Sequence, residues 1–278
     1  MEATTNREER QDGPARANDP QTRSRRQFLQ VAVRTAGVGG LTLTLLPRLP
    51  RAAGEDGEAD RGGSAPDADV QYGFLVDTTR CIGCTRCVES CVEENEVPAG
   101  FLRTWVERYT YFEDGTVRVD GHSEEPPYAY PELSEEDKKR ITKSFFVPKL
   151  CNHCENTPCV QVCPVHASYI SPEGVVLVDP NQCVGCSYCV QACPFGTRFI
   201  NPRTNAADKC TWCYHRVRRG LDPACVEACP TEARMFGNIA DPNSPIRKRM
   251  DAARIDVLKS YLGTAPRTRY IGLTAEVV

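Results

Sequence analysis

The chain has 278 residues, of which 16 are cysteine and 4 are histidine, and 26% are charged. This length allows one or two domains, and the composition excludes collagen-like, coiled-coil and multi-span membrane proteins. The net charge of −3 hides an asymmetry: residues 1–53 carry nine arginines against five acidic residues (+4), whereas residues 54–278 carry 25 basic against 32 acidic residues (−7). Because the basic excess lies in the N-terminal segment alone, nucleic acid is not expected as a partner.

The N-terminal segment, residues 1–53, predicts a twin-arginine export signal. Arg25 and Arg26 stand in the sequence SRRQFL, ahead of a weakly apolar, glycine-rich stretch over 28–46. The alternatives are a charged N-terminus beside a short buried helix, and a transmembrane anchor, for which Arg34 and three glycines make a poor span. The signal predicts a peripheral protein in the periplasm or on the outer face of the cytoplasmic membrane, exported after folding around its cofactors.

Residues 54–69 follow this segment and contain no aromatic residue and no aliphatic residue larger than alanine. Such a composition predicts a flexible linker.

The cysteines fall into four groups of four with none left over. A disulfide framework has no need of such grouping, so the pattern predicts four metal centres. In chain order the groups are Cys81, Cys84, Cys87 and Cys91; Cys151, Cys154, Cys159 and Cys163; Cys183, Cys186, Cys189 and Cys193; and Cys210, Cys213, Cys225 and Cys229.

An internal repeat relates the first and third groups. The sequence FLVD at 74–77 precedes the first group and VLVD at 176–179 precedes the third, and every cysteine of the two groups aligns at an offset of 102 residues. The repeated unit predicts a short strand, a cysteine loop and a short helix.

The spacing within the groups is typical of ferredoxins that bind [4Fe-4S] clusters. The third group reads C-x2-C-x2-C-x3-C-P, the first has the same spacing with Val92 in place of the proline, and the second and fourth lengthen one interval to x4 and x11. Zinc is an alternative for the fourth group, because two separated cysteine pairs also suit a tetrahedral site. Eight disulfides are a weaker alternative, since closely spaced cysteines pair badly among themselves.

In the ferredoxin run, the fourth cysteine ligates the other cluster of a pair. The second and third groups are only 20 residues apart (163 to 183), so we pair them, and pair the first with the fourth. The predicted ligand sets are set one, Cys81, Cys84, Cys87 and Cys229; set two, Cys210, Cys213, Cys225 and Cys91; set three, Cys151, Cys154, Cys159 and Cys193; and set four, Cys183, Cys186, Cys189 and Cys163.

The predicted fold class is α+β, with two interleaved ferredoxin-like two-cluster domains and a β-hairpin insertion. One domain comprises 70–95 plus 208–240, and the other 151–207. The insertion, 96–150, contains a hairpin between 104–108 and 116–119 and a surface loop over 122–137. The C-terminal part, 241–278, has a helix that begins after Ser244 and runs to about Val257, and then a strand over 268–273.

Other residues near the cysteines are interpreted as neighbours of the clusters. His153 and His215 are not expected to be ligands, because no cysteine is missing. Trp212 and Tyr188 lie between ligands and are interpreted as shields against water. Two further residues, each five positions after the last cysteine of its group, either offset cluster charge or lie on the surface: Arg198 and Arg234.

A family resemblance is carried by residues between and around the cysteines. They are Asn152-His153 in the second group, Val184-Gly185 and Ser187-Tyr188 in the third, and DKCTWCYHR at 208–216. Over about 70–273 the chain resembles the four-cluster iron–sulfur subunit of the complex iron–sulfur molybdoenzymes, as in dimethyl sulfoxide, polysulfide and tetrathionate reductases. The resemblance implies the same crossed ligand sets and a relay, in anaerobic respiration, between a membrane quinone-interacting subunit and a molybdopterin-containing catalytic subunit.

The sequence shows no nucleophile–base pair, phosphate loop or dinucleotide fingerprint, so we expect an electron-transfer subunit of a multi-subunit oxidoreductase and not an enzyme by itself. Alternatives are the electron-transfer subunit of a periplasmic hydrogenase or of a sulfite-reductase-associated membrane complex, and an exported metal-storage or disulfide-stapled protein.

Overall fold

The computed structural model describes residues 69–277. The predicted export signal and all but the last residue of the predicted linker lie outside the described residues. Helices and strands are mixed along the chain, in agreement with the predicted α+β class. In chain order the elements are β1 (Tyr72–Asp77), α1 (Arg86–Glu94), β2 (Thr104–Phe112), β3 (Val117–Gly121), α2 (Glu135–Lys139), β4 (Ile141–Leu150), α3 (Pro158–Gln161), β5 (Ser168–Ile170), β6 (Val176–Val178), α4 (Tyr188–Gln191), β7 (Arg198–Ile200), β8 (Ala207–Lys209), α5 (Tyr214–Val217), α6 (Ala224–Glu227), β9 (Arg234–Asn238), α7 (Pro245–Asp251) and β10 (Thr268–Ile271).

The first sheet joins the two ends of the described chain in the order β10-β1-β9. Strand β1 is parallel to β10, with Phe74 opposite Thr268, and antiparallel to β9, with Phe74 opposite Phe236. Its apolar residues Phe74, Leu75 and Val76 are fully buried, as expected of a central strand. Because β1 precedes the first cysteine group and β9 follows the fourth, this pairing brings the two groups together.

The second sheet, β3-β2-β4, is formed by residues 104–150. Strand β2 is antiparallel to both neighbours. The first two strands extend beyond the predicted hairpin, and β4 was not predicted, because it lacks clean alternation and contains Pro148. Since β4 is an edge strand, the missing N–H of that proline is tolerated. Helix α2 begins inside the segment predicted as a surface loop and is capped by Ser134, whose Oγ accepts a hydrogen bond from Asp137 N at 3.0 Å.

Two short hairpins join consecutive cysteine groups. Strands β5 and β6 lie between the second and third groups, and β7 and β8 lie between the third and fourth; both pairs are antiparallel. The predicted strand before the third group is therefore present as β6.

The helix of the first group is longer than its counterpart in the third. Helix α1 has nine residues and continues past Cys91 to Glu94, whereas α4 has four and ends before Cys193. Pro194 disfavours helical conformation at the cysteine before it, and Val92 in the first group removes that restriction. Valine in place of proline at position 92 therefore allows a longer helix. The sequence alone predicted an effect only on the turn after the last ligand.

The C-terminal helix α7 begins where predicted, with Ser244 Oγ accepting a hydrogen bond from Arg247 N at 3.3 Å and Pro245 in the first turn. It ends at Asp251, so the predicted end near Val257 was wrong. The chain leaves the helix because Asp256 exchanges two backbone hydrogen bonds with Tyr270 of β10, both 2.9 Å long. Between residues 69 and 277, no helix is long and apolar enough to cross a membrane.

Candidate metal centres

The four cysteines of set one surround a single cavity. Cys81, Cys84 and Cys87 come from the loop between β1 and α1 and the start of that helix, and Cys229 follows α6; together they line one cavity. Gly83 has φ +69°, and a Cβ there would collide with the ring of Phe146. A glycine inside the first cysteine pair is therefore needed for the loop to pack.

Set three has the same construction in the other half of the described chain. Cys151 and Cys154 follow β4, Cys159 lies on α3, and Cys193 comes from the end of the third group; they line a second cavity. Three cysteines of one group and the last cysteine of its partner group again share one site.

Set two is brought together by a shared hydrogen-bond donor. The side-chain amide Nδ2 of Asn95 lies 3.7 Å from Cys91 Sγ and 3.6 Å from Cys213 Sγ. Burial raises the pKa of the Cys91 thiol, and thiolates of the other three members act in the same direction. Cys91 therefore lies with the fourth group, not with the rest of its own.

Set four is as exposed as set one. Cys189 is buried, Cys163 and Cys183 are partly buried, and Cys186 is exposed. Cys183 packs against an apolar cluster that contains Cys189, and its Sγ accepts a hydrogen bond from Ala207 N at 3.3 Å. Cys183 and Cys189 of this set therefore lie against the same apolar cluster.

These positions bear on the zinc and disulfide alternatives. A zinc ion in the fourth group would need Cys229 beside Cys210, Cys213 and Cys225. Cys229 instead lines the set-one cavity, and Cys91 takes its place near the other three. All sixteen cysteines are free thiols.

The sets follow one another in the order one, two, three, four. Burial raises the pKa of the Cys225 thiol to about 12, and the positive charge of Arg234 acts to lower it. The thiolates of Cys210, also in set two, and of Cys87 in set one raise the same pKa further. Burial likewise raises the pKa of the Cys210 thiol to about 12. The thiolate of Cys151 in set three is the next largest cause and also raises this pKa. Sets one and two, and sets two and three, are therefore neighbours.

Arg198 connects the last two sets in the same way. Burial acts against its charge, but thiolates of Cys159 and Cys151 in set three and of Cys189 in set four raise its pKa. Sets three and four therefore adjoin, and the four sets form a row.

The residues around the cavities fit an iron–sulfur cluster. Arg234 lines the set-one cavity and Arg198 the set-three cavity, and each leaves one buried guanidinium nitrogen, Nη1 and Nη2 respectively, without a hydrogen-bond partner. Cysteine and sulfide sulfur are acceptors for such donors, and thiolates with N–H donors around them are the usual surroundings of these clusters. The donor set, the cavities and the unpartnered cationic donors are therefore mutually consistent.

Comparison with known proteins gives the same cofactor. Two matches to models described as "4Fe-4S dicluster domain" cover residues 80–167 and 142–239. A tetrathionate reductase subunit of Salmonella typhimurium is 42% identical over 253 residues, 90% of this chain and 88% of the relative. A putative dimethyl sulfoxide reductase iron-sulfur subunit of Halobacterium salinarum is 39% identical over 219 residues (73% and 79%), and a polysulfide reductase subunit of Wolinella succinogenes is 38% identical over 200 residues (71% and 92%).

This protein belongs to the same family of iron–sulfur subunits. The family resemblance predicted from the motifs is thereby confirmed. Two dicluster domains correspond to four [4Fe-4S] clusters, for which the chain has sixteen cysteines. Like its relatives, which are subunits of multi-subunit reductases, the chain is an electron-transfer subunit and not the catalytic subunit, as expected from the sequence.

The structure also decides what the sequence left open about the two arginines of this iron–sulfur subunit. Arg198 and Arg234 are buried at the first positions of β7 and β9, so they are not surface residues. Arg198 Nη1 donates to Ser168 Oγ at 3.1 Å, and Arg234 Nη2 donates to Thr104 Oγ1 at 2.9 Å.

The four aromatic or histidine candidates divide into two pairs. His153 and Trp212 are fully buried and their rings stack on each other. His215 is exposed, and its Nε2 lies 2.7 Å from Glu94 Oε1. It lines neither the set-one nor the set-three cavity. Tyr188 is 57% exposed, whereas the burial of Trp212 agrees with its interpretation as a shield. Trp212 is covered because the rings of Phe74 and Phe236 pack on it.

Three residues near the cysteines were missed in the sequence: Asn95, Thr197 and Lys209. Asn95 and Thr197 both stand four residues after the last cysteine of their group, and Thr197 Oγ1 lies 3.4 Å from Cys193 Sγ. The 102-residue offset that relates the two groups also relates these two positions, and would have identified them. For Lys209, its place directly before Cys210 was the available signal.

Proposed function

We propose that this chain relays electrons through its four [4Fe-4S] clusters between a membrane quinone-interacting subunit and a catalytic redox subunit that contains molybdopterin. The relatives are named as reductase subunits, which favours a reductase over a hydrogenase or a sulfite-reductase-associated complex. The clusters, when bound, supply reversible one-electron chemistry. We also propose that the crossed sets one to four are their ligands.

The observation that carries this proposal is the row of cysteine sets with open ends. Sets two and three, in the middle, have mostly buried cysteines, while the exposed cysteines Cys84 and Cys186 belong to sets one and four. A relay needs this arrangement, because electrons must enter at one end and leave at the other without escaping to solvent oxidants between them. A storage protein has no need of a row or of two exposed ends.

Each end also presents an exposed apolar side chain two residues before its exposed cysteine. Ile82 at set one is 60% exposed and Val184 at set four is 64% exposed. These residues occupy corresponding positions in the repeat, directly after the first cysteine of their groups. We propose that each of these two side chains contacts one partner subunit.

The domain organisation proposed with this function is interleaved. The pairing of β1 with β9 supports a domain from 70–95 and 208–240 around sets one and two, and the hairpins β5–β6 and β7–β8 support a domain from 151–207 around sets three and four. Residues 96–150 form an insertion with a β-hairpin, and 241–278 the C-terminal helix and strand. We propose export by the twin-arginine route to the outer side of the cytoplasmic membrane, on the motif in residues 24–29 alone.

The first test is composition. The full chain, produced anaerobically with its gene neighbours, should carry about sixteen iron and sixteen sulfide per chain and co-purify with a membrane subunit and a molybdenum-containing subunit. Half that iron content, or a colourless protein, would contradict the relay.

The second test maps the two ends. A photo-crosslinking residue at Ile82 should label one partner subunit in the membrane complex, and one at Val184 should label the other. Val119, which is 50% exposed on β3, is the matched control position. Labelling of the same subunit from positions 82 and 184 would contradict an end-to-end relay.

A further inference from the structure

Three lysine and arginine side chains are buried among residues 69–277: Arg198, Lys209 and Arg234. In this part of the chain none of them is paired with a carboxylate, although burying a cation without a counter-charge costs several kcal/mol. Their oxygen partners are neutral hydroxyl and carbonyl groups, and the Arg198 side chain also bonds to the Cys189 sulfur. The negative charge that balances them must come from somewhere else.

Each cation lies where two consecutive cysteine sets adjoin. Arg234 lines the set-one cavity, and the thiolates that act on it are Cys87 and Cys81 of set one and Cys225 of set two. Its partnerless Nη1 is the donor left over after Nη2 binds Thr104.

Arg198 repeats this arrangement at the other end of the row. It lines the set-three cavity, and the thiolates around it belong to Cys159 and Cys151 of set three and Cys189 of set four. One hydroxyl, on Ser168, again holds one guanidinium nitrogen, and the other nitrogen, Nη2, has no partner.

Lys209 occupies the remaining junction. Its Nζ donates to the carbonyl oxygen of Cys210, at 2.8 Å, and to that of Val176. Cys151 and Cys159 of set three and Cys210 of set two are the thiolates within electrostatic reach. The three junctions of the row thus hold one buried cation each.

We propose that Arg234, Lys209 and Arg198 are potential-setting residues, each of which stabilises the extra electron on both of the clusters that it separates. A cluster bound by four thiolates is negatively charged and becomes more so on reduction, so a fixed cation beside it raises its reduction potential. Because each cation has two neighbours, its removal lowers two potentials and leaves the other two nearly unchanged. This inference rests on the proposed ligand sets.

The test is a redox titration of the full chain, purified anaerobically and followed by electron paramagnetic resonance. The signals are first assigned to the sets with single serine variants, Cys84→Ser, Cys213→Ser, Cys154→Ser and Cys186→Ser. Arg234→Gln should then lower the potentials of sets one and two, Lys209→Met those of sets two and three, and Arg198→Gln those of sets three and four. We expect at least a tenfold change in each affected reduction equilibrium, which is about 59 mV for one electron.

Charge and exposure are separated by two further variants. Arg234→Lys keeps the charge and should lower the two potentials less than Arg234→Gln does. Arg86 is an exposed arginine directly before Cys87, and water screens its charge, so Arg86→Gln should shift the potentials several-fold less than the buried substitutions.

Shifts confined to the named pairs support the proposal. The proposal is overturned if a substitution shifts the reduction potential of one cluster only or of all four clusters equally. It is also overturned if the shifts are no larger than that of Arg86→Gln. If Arg234→Gln fails to assemble four clusters, Arg198→Gln and Arg234→Lys decide on the same criteria; if none of the three assembles them, the cations act in assembly and the proposal is wrong. Failure of the proposed function is distinguishable, because a wrong iron count then appears in the unmodified chain. Failure of the crossed ligand sets is distinguishable as well, because Cys193→Ser and Cys154→Ser then alter different signals.

Discussion

The imidazole ring of His153 stacks on the indole ring of Trp212, with centroids 3.9 Å apart and planes 27° from parallel. One residue comes from the second cysteine group and the other from the fourth, so the stack ties together the two parts of the chain where sets two and three adjoin. His153 Nδ1 accepts a hydrogen bond from Val176 N at 2.9 Å, which fixes the ring plane. Side-chain packing therefore contributes to holding this junction together.

Removal of this stack should destabilise the protein strongly. Trp212→Ala is expected to lower the free energy of unfolding by about 3–5 kcal/mol, because a fully buried aromatic side chain leaves a cavity. Trp212→Phe should cost less, since part of the stack remains. Thermal unfolding under argon, followed by circular dichroism and visible absorption, measures both. Trp105→Ala, at a partly exposed position, is the control, and an equal loss for the two tryptophans would contradict the special role of the stack.

The crossed ligand sets predict which cysteine variants share a phenotype. Cys193→Ser should perturb the same resonance signal as Cys151→Ser, and Cys163→Ser the same signal as Cys183→Ser. In the proposed ligand sets the last cysteine of each group belongs to the other cluster of the pair, and Cys193 lines one cavity with three cysteines of the second group. If Cys193→Ser and Cys183→Ser altered one and the same signal while Cys151→Ser altered another, the crossing would be disproved.

Hydrogen bonds from side chains to cysteine sulfur should adjust single clusters. Asn95 donates toward two sulfurs of set two, and Thr197 lies against one sulfur of set three, at corresponding positions of the repeat. Because such bonds favour the reduced cluster, Asn95→Leu should lower the set-two potential only, and Thr197→Val the set-three potential only. Each variant is the control for the other in the same redox titration. A shift of set one or set four in either variant would be unexpected on this account.

Local spacing allowed the cysteine groups and the repeated strand, loop and helix to be predicted, because ligand geometry is determined by neighbouring residues. Strand β4 could not be predicted, since its edge position depends on pairing with β2. The burial of Arg234 likewise depends on Thr104, 130 residues away, and no local pattern distinguishes it from a surface arginine. Tyr188 and Trp212 both lie between cluster ligands, and only the distant aromatic rings around Trp212 decide which of them is buried.

Asp77, at the end of β1, should stabilise the fold in a pH-dependent way. Its Oδ2 accepts a hydrogen bond from Arg249 Nη2 at 2.6 Å, and Oδ1 accepts from Thr79 Oγ1 at 2.5 Å and from Thr79 N at 3.1 Å. Burial alone would raise the pKa of this carboxyl, but the bonds from Thr79 and Arg249 outweigh burial and lower it. The link joins β1, next to set one, to the C-terminal helix α7.

Because the folded-state pKa is below the ordinary value of 3.8, the stabilisation is present in full above that value and is lost as the pH falls through the lower folded-state value. Asp77→Asn should therefore cost about 1–3 kcal/mol near neutral pH, a range discounted for the 42% exposure of the Arg249 side chain, and the difference from the unmodified chain should shrink below about pH 4. Asp179→Asn is the matched control from the repeat, since Asp179 is only partly buried and its carboxylate accepts a bond from Asn181 N, at 2.9 Å, with no arginine partner among the described residues. Thermal unfolding at pH 7 and 5, with stopped-flow jumps to pH 3, checks the prediction. An Asp77→Asn effect that stayed constant down to pH 3, or that Asp179→Asn equalled, would show that this carboxylate does not make the pH-dependent link between β1 and α7.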